Sequence, residues 1–336
     1  MRVEIETRDI KIWNEDRAFV DIAHAMKYNE PLTIDFLQEG IDLHSSGFFT
    51  KLNNIADMFQ YPISNITVIT ANALEHHDLI KVKYLPPLHL VEHAKTCHVD
   101  IVKDSNLNHF GIFINRGNAE RLYLASHLYN NFLPKLKISY HFHLEDNFHT
   151  SSVGLEDLIR NYNIQDVTEA SNFLKQCPLR LDNNSIVPIE KNSVDNPSQQ
   201  LLSRDRDIFI ENYRKFFLEI VCESYYTGNT FFPTEKTWRP ILLKTPFIVQ
   251  GAQWYLHRLH DMGFQTFDRW WDEGYAEDPA DYQMYEIVKV IDFLAEKSSS
   301  ELNLIYQEMQ PTLEHNKKRF MELTRKDFEI FKNDKY

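Results

Sequence analysis

Apolar and polar positions in the first hundred residues follow the two periods that mark strands and helices. The segments LTIDF (32–36) and ITVIT (66–70) are short apolar runs typical of strands. Between them, Phe48, Leu52 and Ile55 share one face of a helix in the stretch SGFFTKLNNIADMFQY. This strand–helix–strand order predicts a parallel βαβ unit.

The same alternation starts again further along the chain. HFGIFI (109–114), LKISYHF (136–142), the end of YRKFFLEIVCES (213–224) and TPFIVQG (245–251) read as strands, with helical segments between them. A charged helical tail follows over 299–334. The pattern therefore predicts a second α/β unit, in which ligands bind beyond the carboxyl ends of the strands.

Two successive units of this kind predict an α/β protein with two Rossmann-like domains. The expected domains are 1–105 and 106–311, with the C-terminal helix at about 312–336 a candidate to pack back on the first domain. The chain length of 336 residues is ordinary for two domains.

Composition narrows the class of protein. The formal net charge of −13 gives no general attraction to nucleic-acid backbones. The three cysteines, Cys97, Cys177 and Cys222, are too few and too widely spaced for a disulfide framework. The N-terminus has no apolar signal core, and no uncharged apolar run reaches the roughly 18 residues that span a bilayer. We expect a cytoplasmic protein without a membrane span.

Polar residues cluster where the strand ending in Cys-Glu-Ser meets the helix that starts at Thr-Glu-Lys. Helix starts favour anions, and a lysine there adds positive charge. A carboxylate can accept hydrogen bonds from a ribose diol, and an arginine one turn later can add its fork of donors. The residues of this predicted site are Glu223, Ser224, Thr234, Glu235, Lys236 and Arg239. The residues at the helix start, Thr-Glu-Lys, also fit ordinary capping of a helix, and this alternative stays open.

The segment from about 109 to 252 resembles, in pieces, the donor-binding region of the α-1,3-fucosyltransferases. The resemblance rests on CES at a strand end, on Phe232-Pro-Thr-Glu-Lys and on TPFIVQG. Phe232 stands where those enzymes usually carry Tyr. FGIFINRGNAERLYLASHL looks like the opening of their donor domain, so Arg121 is expected to meet the donor diphosphate, with Arg116 in the loop before it.

The resemblance implies a glycosyltransferase of the GT-B type, with two domains facing a central cleft. It implies transfer from a nucleotide-sugar donor to an acceptor hydroxyl, inverting and without a metal. The pattern with GFQTFDRWWDEGY after it is also similar to uncharacterised phage and marine viral proteins, which would place the protein in a host cytoplasm.

Inverting transfer needs a general base for the acceptor hydroxyl. Glu39 follows the first strand and is the predicted base, with Asp35 the next candidate. Asn72 occupies the matching place after the next strand and is predicted to bind the acceptor, which is a glycan, a protein or a modified DNA base.

Two other functions and three other sites stay open. A phage-type DNA glycosyltransferase would act on a modified pyrimidine, against the acidic net charge. A non-catalytic module would bind a nucleotide or glycan in the same cleft. Metal ligation by Asp205 and Asp207, or by the His89, His93 and Cys97 spacing, is disfavoured against ordinary helix faces. Trp270 and Trp271 either stack on a sugar or belong to the core.

Overall fold

The computed structural model describes residues 1–5, 17–36, 39–96, 99–114, 117–140, 149–177, 179–181, 186–188 and 206–333. The chain divides into two compact units. Unit 1 comprises Met1–Leu90, Ser224–Phe232 and Leu323–Tyr336, and unit 2 comprises Val91–Glu223 and Pro233–Glu322. The chain therefore leaves unit 2 directly after Glu223 and returns to it at Pro233.

Unit 1 contains a four-stranded parallel sheet. Its strands are β1 (Arg2–Glu4), β2 (Leu32–Asp35), β3 (Ile66–Thr70) and β4 (Lys81–Tyr84). Helix α1 (Arg17–Lys27) precedes β2, and α2 (Phe48–Met58) connects β2 to β3. The strands lie in chain order, β1-β2-β3-β4, so the direction of strand addition does not reverse among them.

The predicted βαβ unit of unit 1 is confirmed. Phe48, Leu52 and Ala56 are buried on one face of α2, at the spacing of a helix that packs on a sheet. Residues of β3 alternate between buried and half-buried, as expected for a strand with one face in the core. Gly47 precedes α2 with φ of 75°, a left-handed conformation that glycine adopts without strain.

Unit 2 contains a six-stranded sheet in the order β10-β9-β5-β6-β7-β8. Its strands are β5 (Asn108–Ile114), β6 (Leu136–Tyr140), β7 (Leu179–Leu181), β8 (Ile186–Pro188), β9 (Phe216–Cys222) and β10 (Phe247–Gln250). The pairs among β10, β9, β5 and β6 are parallel, and β7 and β8 extend the sheet in antiparallel fashion.

Helices precede, separate and follow these strands along the chain. They are α3 (Leu88–Thr96), α4 (Ala119–Phe132), α5 (His149–Arg160), α6 (Thr168–Leu174), α7 (Arg206–Tyr213), α8 (Glu235–Leu242), α9 (Tyr255–Asp261), α10 (Ala280–Ala295), α11 (Ser299–Glu308) and α12 (Gln310–Glu322). A last helix, α13 (Arg325–Glu329), belongs to unit 1. Among the described residues, no helix is both long and apolar enough to cross a membrane.

The central strands of unit 2 explain why their sequences are nearly continuous apolar runs. All of β9, and all of β5 after its first residue, are buried, as expected for parallel strands covered on both faces. Gly111 fits here because a Cβ atom at this position would lie 2.7 Å from the ring of Phe216 on the neighbouring strand. The α/β class and the strands expected for both halves are confirmed.

The limits of the units differ from the expected domains. Unit 1 ends its first segment at Leu90, within α3, whereas the sequence placed the boundary at 105. The segment Ser224–Phe232 joins unit 1 from the middle of the chain, and the C-terminal return begins at Leu323.

Candidate functional site

The strand order of unit 2 reverses between β5 and β9. From β5 the chain continues to β6 on one side, and from β9 it continues to β10 on the other side. Helix α4 follows β5 and α8 follows β9, so both helices begin at the carboxyl edge of neighbouring strands. This reversal is the place where open α/β sheets bind ligands, and helix starts favour anions.

Arg121 links the start of α4 to the end of β9. Asn118 caps α4 by accepting a hydrogen bond from the backbone N–H of Arg121 at 2.9 Å. The guanidinium of Arg121 donates through Nη2 to the carbonyl oxygens of Cys222 (3.2 Å) and Glu223 (2.6 Å). The side chain predicted to meet a diphosphate therefore brings a buried positive charge to the strand end at the reversal.

Glu223 anchors the start of α8. Its fully buried carboxylate accepts hydrogen bonds from Thr234 N–H (3.0 Å), Thr234 Oγ1 (2.6 Å), Thr237 Oγ1 (2.6 Å) and Tyr255 O–H (3.1 Å). Because these partners belong to the cap, the first turn of α8 and α9, the carboxylate fixes the N-terminus of α8 against β9. Glu223 thus supports the site through the fold, and direct contact with a ligand stays a prediction.

Thr234 caps α8, and Glu235 and Lys236 begin its first turn. Thr234 Oγ1 accepts from the backbone N–H of Lys236 at 3.3 Å and from its Nζ at 3.2 Å. Lys236 Nζ also lies 3.1 Å from Glu235 Oε1, and the two side chains are 15% and 26% exposed. Burial opposes ionisation of Glu235, but Lys236 and the helix start outweigh it and lower its pKa. A cation and an anion are therefore held side by side at the helix start, both partly open to solvent.

Arg239 lies one turn further along α8, within the protein. Its guanidinium pairs with Glu219 of β9 and donates to the hydroxyl of Tyr213, which in turn donates to Glu219. Burial would lower the pKa of Arg239, but contact with Glu219 and Tyr213 raises it, so the side chain stays charged. The guanidinium N–H groups of Arg239 thus hold α8 to the sheet. Contact between Arg239 and a ligand stays a prediction.

The predicted residues of the first domain lie at the carboxyl edge of the unit 1 sheet. Glu39 is half-buried, and its Oε2 accepts a hydrogen bond from the hydroxyl of Tyr225 at 2.6 Å. Asn72 is fully buried, and its amide donates to the Asn229 carbonyl at 2.9 Å and accepts from the N–H groups of Leu74 and Phe231. These bonds tie the segment 224–232 to the loop after β3, and acceptor binding by Asn72 stays a prediction.

Phe232 and Ser224 belong to unit 1. The buried ring of Phe232 lies against Gly40, where an added Cβ atom would fall 2.2 Å from its Cγ. Ser224 is exposed. Both were predicted to contact the donor, and that contact stays a prediction.

Some of the side chains considered as ligands of a donor or a metal lie outside the described residues, among them Arg116, Cys97 and Asp205. Asp207 falls in the first turn of α7, as the sequence indicated for an ordinary helix start. Within the part of the chain that the structure describes, no group of three or more His, Cys, Asp or Glu is placed to hold a metal ion.

The structure also assembles a cluster in unit 1 that the sequence reasoning missed. His44, from the loop after β2, lies beside Glu75 and His77 from the loop after β3. The signal was available in the segment LEHHD (74–78), which comes shortly after a predicted strand. Its pairing with His44, 31 residues earlier than Glu75, required the sheet.

Comparisons of the whole chain with protein-family models, curated proteins and solved structures find no match.

Proposed function

We propose that the protein is a glycosyltransferase that moves a sugar from a nucleotide-sugar donor to an acceptor hydroxyl. The observation that carries the proposal is the reversal of strand order between β5 and β9, where two helix starts, Arg121 and Lys236 come together in unit 2. Positive charge at two helix starts on such an edge suits a nucleoside diphosphate.

The first two residues of α8, Glu235 and Lys236, each have a part in this proposal. Lys236 neutralises the diphosphate, assisted by the N-terminus of the helix. The Glu235 carboxylate accepts hydrogen bonds from ribose hydroxyls. This role requires the ionised acid, because both of its oxygens are then acceptors and neither carries a proton. The lowered pKa of Glu235 keeps it in that form at neutral pH.

The reaction needs stabilisation of the departing diphosphate. As the bond between the sugar and the diphosphate breaks, negative charge grows on the leaving oxygen. Arg121 and Lys236 offset that charge from fixed positions, and for this reason we propose a metal-independent transfer. We propose inversion because the resemblance to the α-1,3-fucosyltransferases implies it. The acceptor and the general base would come from unit 1 in a GT-B arrangement, where Glu39 is the base predicted from the sequence.

A thermal-shift panel tests the proposal. UDP-glucose, UDP-galactose, UDP-N-acetylglucosamine, GDP-mannose and GDP-fucose are each added to the full chain and to Lys236→Ala, with Lys289→Ala on α10 as an exposed control. A donor at about 100 times its dissociation constant stabilises by roughly 2.7 kcal/mol. We expect one donor to shift wild type and the control fully, and Lys236→Ala by about half as much or less. No shift from any donor would contradict the proposal, and binding without turnover would favour a non-catalytic module.

A further inference from the structure

Two loops at the carboxyl edge of the unit 1 sheet bring a histidine and a buried acid together. Nε2 of His44 lies 2.6 Å from the carbonyl oxygen of His76 and 3.5 Å from Oε1 of Glu75. The side chain of His44 is 51% exposed, whereas that of Glu75 is 2% exposed. An accessible imidazole is thus backed by an inaccessible carboxylate.

These contacts fix the tautomer of His44. A carbonyl oxygen only accepts hydrogen bonds, so Nε2 must carry the proton that it shares with His76. Nδ1 then has the lone pair and is the atom that gains or loses a proton. Packing holds the ring in place, since it stacks on His77 at 5.9 Å and contacts Phe49 at 4.7 Å between centroids.

Neighbouring groups set the charges within this cluster. Burial raises the pKa of Glu75 to about 7, although its Oε2 accepts a 2.7 Å hydrogen bond from the N–H of Leu43. His77 stays neutral because burial lowers its pKa and its Nδ1 accepts from two backbone N–H groups at 3.1 Å. The other charged or titratable groups that act on Glu75 and the two histidines are Asp42, His76 and Asp78.

We propose that His44 and Glu75 form a proton-accepting pair, with Nδ1 of His44 as the atom that takes the proton of the acceptor hydroxyl. This inference rests on the proposed function for the identity of the substrate. The acceptor oxygen bonds to the anomeric carbon of the sugar while its proton passes to Nδ1. The nucleoside diphosphate leaves with the electron pair of its broken bond, and the Glu75 carboxylate stabilises the imidazolium.

His44 is better placed for this step than Glu39. The Glu39 carboxylate already accepts a 2.6 Å hydrogen bond from the Tyr225 hydroxyl, and its backbone carbonyl is bound by Ala71 N–H and Thr70 Oγ1. A substrate hydroxyl would have to compete with the tyrosine there. Nδ1 of His44, in contrast, makes no hydrogen bond among the described residues.

Nuclear magnetic resonance on the full chain tests the pair without any substrate. Long-range proton–nitrogen spectra of histidine-labelled protein at pH 8 are expected to show Nε2–H and an unprotonated Nδ1 in His44. Glu75→Gln is expected to shift the Nε2 resonance of His44, because Oε1 of Glu75 lies 3.5 Å from that atom. Glu30→Gln, at the opposite edge of the sheet, is the control and is expected to leave it unchanged. A protonated Nδ1 in neutral His44, or no response to Glu75→Gln, overturns the pair.

Turnover of the donor that gives the largest thermal shift tests the role. His44→Gln is expected to lower kcat about 100-fold with unchanged donor affinity, consistent with loss of a general base. Glu39→Gln is expected to cost less than tenfold, and His24→Gln on α1 serves as the control. If Glu39→Gln lowers kcat more than His44→Gln does, the general base is Glu39 and the proposal is wrong. If no donor binds at all, the proposed function fails, and the spectra still decide whether the pair exists.

Discussion

Glu223 is predicted to be the residue that holds the proposed anion site in shape. In Glu223→Ala, the Thr237 and Tyr255 hydroxyls, 2.8 Å apart, can bond to each other. The N–H and Oγ1 of Thr234 lose their acceptor in a buried place. At about 1.5 kcal/mol for each hydrogen bond to a charged group, these two losses destabilise the protein by roughly 3 kcal/mol.

Glu223→Gln gives a graded comparison. The amide keeps one oxygen, but its NH2 group faces Thr234 Oγ1, which already accepts from the backbone N–H and Nζ of Lys236. We expect the free energy of unfolding to fall by about 1–2 kcal/mol, because two hydrogen-bond donors then face each other at this point. Glu286→Gln on the exposed face of α10 is the control and is expected to stay within about 0.5 kcal/mol of wild type.

Urea unfolding followed by tryptophan fluorescence measures these losses. Four of the five tryptophans, Trp238, Trp254, Trp270 and Trp271, lie in unit 2, so most of the signal reports the unit that contains Glu223. A loss below about 1 kcal/mol in Glu223→Ala would refute the reasoning, because four hydrogen bonds to a buried carboxylate could not then be important for α8.

Three further predictions concern other parts of the molecule. Transfer activity is expected to survive EDTA, since fixed cations offset the diphosphate charge and Asp207 lies in the first turn of α7; complete loss restored by Mn²⁺ would contradict this. Unit 1 is expected to lose about 3 kcal/mol of stability as the pH rises from 4.5 to 7, because the pKa of Glu75 is raised from 4.5 to about 7, so that over this range the unfolded chain releases the proton while the folded protein still holds it. Glu75→Gln should abolish this slope in circular-dichroism unfolding curves, and an unchanged slope would show that the pKa of Glu75 is not raised. Gln250→Leu is expected to raise the midpoint of urea unfolding by the equivalent of about 1 kcal/mol, since neither amide atom of this buried side chain has a hydrogen-bond partner in the described part of the chain; a loss of that size would contradict the prediction.

The strands with strong apolar runs were predictable from the sequence. β3, β5 and β9 are buried on at least one face, so burial leaves a clear pattern in their residues. β4 escaped prediction because KVKY (81–84) has two exposed lysines and only one fully buried residue, as expected at the edge of a sheet. β1 has three residues, too few to show a period.

The roles of the site residues were harder to predict than their location. The sequence places Glu223 and Thr234 at a strand end and a helix start, but only the fold shows that they bond to each other. The position of Arg239 along α8 fits both an anion-binding role and a structural ion pair. Its pairing with Glu219 depends on how α8 packs on β9, which the sequence does not show. His44 and Glu75 meet only because β2 and β3 are parallel neighbours whose carboxyl ends share one edge.

Isothermal titration of wild type, Arg121→Ala and Lys236→Ala with the donor that gives the largest thermal shift tests the central claim most directly. The account predicts that each substitution weakens binding at least tenfold, since one hydrogen bond to a charged group contributes about 1.5 kcal/mol or more. Lys289→Ala should bind like wild type. Equal affinities in all four proteins would contradict the claim that the reversal between β5 and β9 binds the donor diphosphate.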